Sequence, residues 1–404
     1  MKVIIEKSRL KGVVAAPPSK SMAHRLLICA GLSEGESRIE NVAYSEDILA
    51  TLDCLEKMGA EIEKKENSVK IKGVSPLKLK ESRVFPARES GSTLRFFIPV
   101  ALLSEAEHAF EGYGRLMERP MEVYEKLCRE KNLFFLQRDG KILVKGKLES
   151  GDYTLRGDIS SQFISGMLFA LPLCEGDSRI YLTGKIESRS YIDMTLSSMN
   201  EFGVKAEWEN ENTLYIKGSQ KYQSRSLAVE GDYSNAAFLD AFNCLGGEVE
   251  VKGLCENSLQ GDRIYKEYFR LLCEGSPVLD VSDCPDLAPV LMALAVCLDG
   301  AVLTGTARLR IKESDRGAVM KQELSKFGAD IEIHENKIII RKTPLKKFCG
   351  TLCGHNDHRV VMSLAVLASV FSGEIEGAEA VSKSYPDFFE RVRELGLEAK
   401  IYDN

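Results

Sequence analysis

Nine short segments hold most of the residues able to do chemistry. They read SKSMAHR (19–25), ESGSTLR (89–95), MERP (117–120), GDISSQF (157–163), ESRSYID (187–193), CPDLAP (284–289), RLRIKESDR (308–316), NDHR (356–359) and SKSYPDFF (382–389). Most contain Lys or Arg, although the whole chain carries a formal net charge of −6. Several open with Ser or Asp just before an apolar run, where a side-chain oxygen can cap a helix; Ser19, Ser160 and Asp357 fit that role by themselves. A cap does not need Lys20, Arg25 or Arg359 beside it. The first turn of a helix is already positive, so added cations are unfavourable there unless an anion binds. Two like charges about 4 Å apart cost about 4 kcal/mol at an effective dielectric near 20. A fold that gathers Lys20, Arg95, Arg119, Arg316, Arg359 and Lys383 without a ligand would resist closing. Phosphates and carboxylates suit the fork geometry of Arg, so the expected chemistry is that of small, strongly anionic metabolites.

The scaffold that must position these segments is a repeat. A Gly-containing turn leads into an alternating strand, a polar stretch, an amphipathic helix and two short strands. Clear copies run over 35–73, 176–218 and 300–342, and weaker ones over 105–146, 246–281 and 373–402. Leu49, Leu52, Leu55 and Met58 mark the inner face of the first amphipathic helix, and Val319, Leu324 and Phe327 that of the fifth. Between copies lie apolar, small-residue helices near 21–33, 92–103, 161–174, 234–245, 286–298 and 358–371. Runs such as VVMSLAVLASV (360–370) are apolar nearly all round, which marks core helices. The chain is therefore α/β (α+β), and six copies suggest two domains of three units.

Composition bounds the function class. An acidic chain of 404 residues is not a nucleic-acid binder working by bulk charge. Its longest apolar runs, such as PVLMALAVCL (289–298), are too short to span a bilayer. The start, MKVIIEKSRLKG, reads as a strand and lacks a signal-peptide core. Eleven cysteines without framework spacing point to a reducing cytoplasm and mostly buried thiols. Cys349, Cys353, His355 and His358 resemble a zinc set, but four ligands within ten residues leave little loop for a tetrahedron. Buried thiols in a strand and loop are the expectation there. No P-loop, G-x-S-x-G elbow or H-E-x-x-H occurs, and GYG (112–114) lacks a Rossmann setting.

Seven of the segments, PPSKSMAHR, ESGSTLRF, GDISSQF, SRSYIDMT, RLRIKESDR, NDHR and SKSYPDFF, resemble in order the motifs of the EPSP synthase family, from residue 17 to 389. That resemblance implies transfer of the enolpyruvyl group of phosphoenolpyruvate to the 5-hydroxyl of shikimate 3-phosphate with loss of phosphate. It implies two similar domains, each of three βαβαββ-like units around buried helices, an inside-out α/β barrel. One would cover 15–229, the other 1–14 with 230–404, and the active site would lie in the cleft between them. Lys20 would contact both substrates. Ser21, Arg25, Ser160, Ser161, Gln162 and Ser188 would hold shikimate 3-phosphate, with Asp286 and Lys312 on its hydroxyls. Gly91, Arg119, Arg316, Arg359 and Lys383 would receive phosphoenolpyruvate. Asp286 would act as base toward the 5-hydroxyl and Glu313 as proton donor to the methylene carbon.

The resemblance calls for no metal or organic cofactor, and for a cytoplasmic monomer that binds neither nucleic acid nor membrane. Two departures stand out. Glu89-Ser90-Gly91-Ser92 replaces the Asn-Ala-Gly-Thr of many relatives, and Arg308 stands where some carry an Asn that contacts the shikimate phosphate, so neither contact is carried over. A sister family acting on UDP-N-acetylglucosamine shares the fold, but its reactive loop Cys has no counterpart in FEGYGRLMERP (110–120). A non-enzymatic phosphometabolite binder is the remaining alternative; it would need the cations but not Asp286 and Glu313.

Overall fold

The computed structural model describes residues 1–402. Twelve α-helices alternate between two environments. The odd-numbered helices are core: α1 (Lys20–Gly31), α3 (Gly91–Ala101), α5 (Ser161–Ala170), α7 (Tyr233–Cys244), α9 (Ala288–Cys297) and α11 (His358–Phe371). The even-numbered ones are amphipathic: α2 (Glu46–Met58), α4 (Glu122–Glu130), α6 (Arg189–Glu201), α8 (Tyr265–Glu274), α10 (Arg316–Ser325) and α12 (Phe388–Glu394). Every residue of α9 from Ala288 to Val296 is buried, as its uniformly apolar sequence demands. Each fully buried Leu or Met there contributes roughly 1.5–3 kcal/mol.

The chain divides into two compact units, one of Pro18–Glu230 and the other of Met1–Pro17 with the segment from Gly231 onward. Each has its own hydrophobic core. In the first unit three four-stranded sheets share one order. A parallel strand leads, then the strand after the Gly turn, then the closing hairpin reversed. The three are Ser226–Ala228, Glu36–Glu40, Ser68–Lys72, Glu61–Lys64; Arg83–Arg88, His108–Gly112, Lys141–Lys145, Phe134–Arg138; and Asp152–Arg156, Ser178–Thr183, Thr213–Ile216, Ala206–Asn210.

The second unit repeats that order in Val278–Asp280, Gly300–Thr304, Lys337–Arg341, Asp330–Ile333. Its other two sheets depart from the expected repeat. The copy at 373–402 closes with only one strand of its own, Ala399–Tyr402; the N-terminal strand Lys2–Ile5 inserts beside it as the missing partner. Among the described residues the copy at 246–281 has no closing hairpin: Glu248–Lys252 pairs only with Lys11–Ala15. The sheets are separate and open, so among the described residues none closes into a barrel.

The inner faces of two amphipathic helices hold the expected Leu52, Leu55 and Met58, and Leu324 and Phe327, but each begins one residue away from the expected first position. Ile48, Leu52 and Leu55 in α2, and Met320, Leu324 and Phe327 from α10 onward, are buried, while Leu49 and Val319 are half-buried. The buried sets share the i, i+4, i+7 spacing that keeps side chains on one helical stripe. Only five of the eleven cysteines are buried; Cys349 and Cys353 are exposed, contrary to expectation. No helix among the described residues is long and apolar enough to cross a membrane.

Candidate active site

The core helices share an electrostatic feature. None of the six carries an acidic residue in its first turn. Four of the six amphipathic helices do, and the two that do not are α6 and α10, which begin at Arg189 and Arg316. A carboxylate meets the positive end of α7, α10 and α11 only from the cap position, through Asp232, Asp315 and Asp357. The capping roles are also real. Ser19 accepts from the Met22 amide (3.4 Å), Ser160 from the Gln162 amide (3.3 Å) and Asp357 from the Arg359 amide (2.9 Å).

In the unit of Pro18–Glu230, Lys20 Nζ pairs with Asp47 Oδ2 at 2.8 Å. Arg25 is buried and donates to Thr195 Oγ1 (2.9 Å) and to the carbonyls of Ser21 (2.6 Å) and Tyr191 (2.9 Å). Thr195 meets Ser165 at 2.8 Å, so this arginine ties α1 to α6 and α5. Burial pulls the Arg25 guanidinium down to about 10. Ser160 and Ser161 sit at the start of α5. Ser188, buried in left-handed backbone (φ 55°), immediately precedes α6.

Gly91 opens α3 where two arginines approach. A Cβ on Gly91 would stand 2.6 Å from one terminal nitrogen of Arg119 and 3.1 Å from one of Arg95. Arg95 donates to Gln162 Oε1 (2.7 Å), and Gln162 Nε2 donates to Ser92 Oγ (2.8 Å). Burial and the neighbouring charge of Arg119 drive Arg95 down to about 9. Among the described residues neither arginine has a carboxylate partner, and the Nε of each lacks an acceptor. Two unneutralised guanidinium groups facing one small gap are suited to an anion.

In the unit of Met1–Pro17 and Gly231 onward, Asp286 is the hub. Its Oδ1 lies 2.7 Å from Arg316 and 3.6 Å from Lys312, and its Oδ2 lies 3.3 Å from Arg359. Arg316 also grips Asp357, Nε to Oδ2 at 2.9 Å, and Ser314 donates to the same carboxylate at 3.0 Å. Burial disfavours both charges of that pair. Arg316 is nonetheless held above its ordinary value by Asp357, Asp286 and Glu313, and Asp357 below its own, chiefly by Arg316. Arg359 donates to Ser234 Oγ (2.7 Å) and Asn235 Oδ1 (3.1 Å). Glu313 Oε2 lies 2.9 Å from His358 Nδ1, and Lys383 Nζ donates to the Asn356 carbonyl at 2.8 Å.

One expectation is corrected here. The cations are not all dependent on a ligand, because Lys20, Lys312, Arg316 and Arg359 have internal carboxylates. The zinc-like set, which the spacing argued against, does not converge: His358 faces Glu313, whereas His355 Nε2 meets Glu323 at 2.9 Å. Among the described residues the group with metal-ligating atoms close together is Glu313, Asp357 and His358, within 4.8 Å of one another. The Asp357 oxygens in that group are already occupied by Arg316 and Ser314.

The structure adds residues that sequence reasoning missed. Asp47 answers Lys20, and His358 answers Glu313. Ser234 and Asn235 lie in the first turn of α7, the one core-helix start not singled out beforehand. The signal was positional: GDYSNAAF (231–238) occupies the same place in its repeat as GDISSQF.

Repeated α/β units whose helix starts present arginine, lysine and carboxylates define an acid–base enzyme of small anionic substrates. The model of the EPSP synthase (3-phosphoshikimate 1-carboxyvinyltransferase) family matches residues 4–272 and 269–392, and this chain belongs to that family. A 3-phosphoshikimate 1-carboxyvinyltransferase of Clostridium kluyveri is 44% identical across 98% of this chain and 97% of its own. That of Clostridium acetobutylicum is 42% identical across 96% and 95%. The solved EPSP synthase of Acinetobacter baumannii has the same fold, with a TM-score of 0.81 over 100% of this chain and 99% of its own at 24% identity.

Proposed function

We infer that the chain transfers the enolpyruvyl group of phosphoenolpyruvate to the 5-hydroxyl of shikimate 3-phosphate, the step its family supplies toward chorismate and the aromatic amino acids. The reaction is an addition followed by an elimination. The 5-oxygen bonds to C2 of phosphoenolpyruvate as its proton leaves and C3 gains a proton, giving a tetrahedral ketal phosphate. Phosphate then departs with the C2–O bond while C3 loses a proton. One carboxylate must accept a proton while another group supplies one.

The observation that supports this most is Asp286 set among Lys312, Arg316 and Arg359, with Glu313 against His358. In this reading Asp286 takes the 5-hydroxyl proton, and Glu313, backed by the imidazole, protonates the methylene carbon. Arg316 and Arg359 take the carboxylate of phosphoenolpyruvate, and Arg119 and Lys383 its phosphate, with Gly91 leaving room beside Arg119. Ser160, Ser161, Gln162 and Ser188 hold the shikimate phosphate; Ser21 and Arg25 hold its carboxylate and ring side. Lys20 touches both substrates. Fixed cations stabilise the charge of the ketal phosphate without reorganising during the reaction. In this reading a monomer suffices.

Phosphate release tests the reading. It is expected only with both substrates present. Release with UDP-N-acetylglucosamine in place of shikimate 3-phosphate would favour the sister reaction, and tight binding without release would make the chain a binding protein.

A further inference from the structure

Glu323 lies near the end of α10, about two turns beyond Arg316 and without a role in the account above, yet its carboxylate is fully buried. Its Oε2 accepts from the Cys353 amide (3.0 Å) and from Lys326 Nζ (2.7 Å), and its Oε1 meets His355 Nε2 at 2.9 Å. Lys326 also donates to the Thr351 carbonyl (3.1 Å). A buried carboxylate is expensive unless paired and hydrogen-bonded. Apart from Lys326, which itself donates to the Thr351 carbonyl, the partners of this carboxylate lie in one short segment, residues 351–355.

That segment is strained. His355 and Asn356 both adopt left-handed backbone, with φ of 49° and 53°. Asn tolerates this region, but His seldom adopts it, and such strain persists only where surroundings over-determine it. The preceding Gly354 is locked as well: a Cβ there would stand 2.5 Å from Val361 and 2.9 Å from the Gly377 carbonyl oxygen. The turn ends on working groups. The Asn356 carbonyl receives Lys383, Asp357 receives Arg316 and caps α11, and Arg359 lies in the first turn of that helix.

We propose that Glu323 is a positioning residue, which holds the Cys353–Asn356 turn and thereby fixes Lys383 and Arg359 for phosphoenolpyruvate. The proposal rests on the reading that Lys383 and Arg359 bind that substrate. Glu323 touches neither. Replacing it leaves the groups proposed for shikimate 3-phosphate in the other unit undisturbed, so the two substrates must respond differently.

Steady-state kinetics and calorimetry of the full chain provide the test. Glu323→Ala is expected to raise the KM for phosphoenolpyruvate about tenfold or more, since misplacing a binding group by an ångström can cost even more. The Kd for shikimate 3-phosphate should stay within about twofold, because no direct contact is lost. Glu323→Gln, whose carboxamide oxygen still accepts from the Cys353 amide, should restore most of the loss. An unchanged phosphoenolpyruvate KM in Glu323→Ala, or equal weakening of both substrates, overturns the proposal. If Glu323→Ala does not fold, His355→Ala decides: a raised phosphoenolpyruvate KM supports the proposal and an unchanged one overturns it. Hydrogen exchange separates this claim from the functional reading. The Asp357 and Arg359 amides should exchange about tenfold faster in whichever of the two variants folds, and unchanged protection overturns the positioning role whatever the turnover. A wild-type protein inactive with both substrates would refute the functional reading alone.

Discussion

Arg95 and Arg119 share the space left by the missing side chain of Gly91, and a single methyl group probes that arrangement. In Gly91→Ala the new Cβ would collide with Arg119 at 2.6 Å. The far end of an arginine swings aside easily, so melting temperature should hardly change. The KM for phosphoenolpyruvate should rise about tenfold, as a displaced clamp predicts; unchanged kinetics would place Arg119 away from the substrate. His24 makes a different kind of prediction. Its Nδ1 meets Thr51 at 2.7 Å, and Thr51 meets Thr93 at 2.8 Å, in a buried chain joining α1, α2 and α3. Burial lowers the imidazole from 6.5 to about 3. Between those values the unfolded chain binds a proton that the folded chain does not. The stability is therefore complete above pH 6.5 and falls as pH drops toward 3, by up to about 1.4 kcal/mol per unit. Thermal unfolding of His24→Asn should start from a lower Tm at pH 7.5 and show a shallower decline on acidification; a decline parallel to that of the wild type would refute the assignment.

At the scale of elements, the account rests on the groups that the helix starts present. α6 is the case that a spectroscopic signal can follow. Trp208, the sole tryptophan, lies under the Arg189 guanidinium (3.8 Å to the ring centroid) and donates to Asp193 Oδ1 at 2.8 Å. Both partners are on α6, directly after Ser188. Saturating shikimate 3-phosphate should change the tryptophan emission, and phosphoenolpyruvate alone should not. Calorimetric binding without any change in emission would mean that the phosphate does not reach the α6 start. Elements were also what the sequence disclosed best. The six core helices were legible because apolar residues on every face leave no other environment. The start of α7 was overlooked because Ser234 and Asn235 carry no charge to attract notice. The repeats at 246–281 and 373–402 misled because the first lacks its closing hairpin and both pair with strands of the N-terminus, over hundreds of residues, which no local pattern records. Asp47 and His358 escaped as partners for the same reason: a contact between elements leaves no trace in the spacing within either.

At the scale of the whole molecule, the chain passes twice between its compact units. At these passages the Ser19 amide donates to the Glu230 carbonyl (2.8 Å) and the Asp232 amide to the Pro17 carbonyl (2.7 Å). The central claim of the functional account is that the enzyme breaks the C–O bond of phosphoenolpyruvate, not its P–O bond. The most direct measurement uses phosphoenolpyruvate labelled with oxygen-18 at the bridging position, turned over with shikimate 3-phosphate. Enolpyruvyl transfer requires the label to leave with the phosphate. Unlabelled phosphate would mean that the P–O bond is cleaved, and would contradict the mechanism.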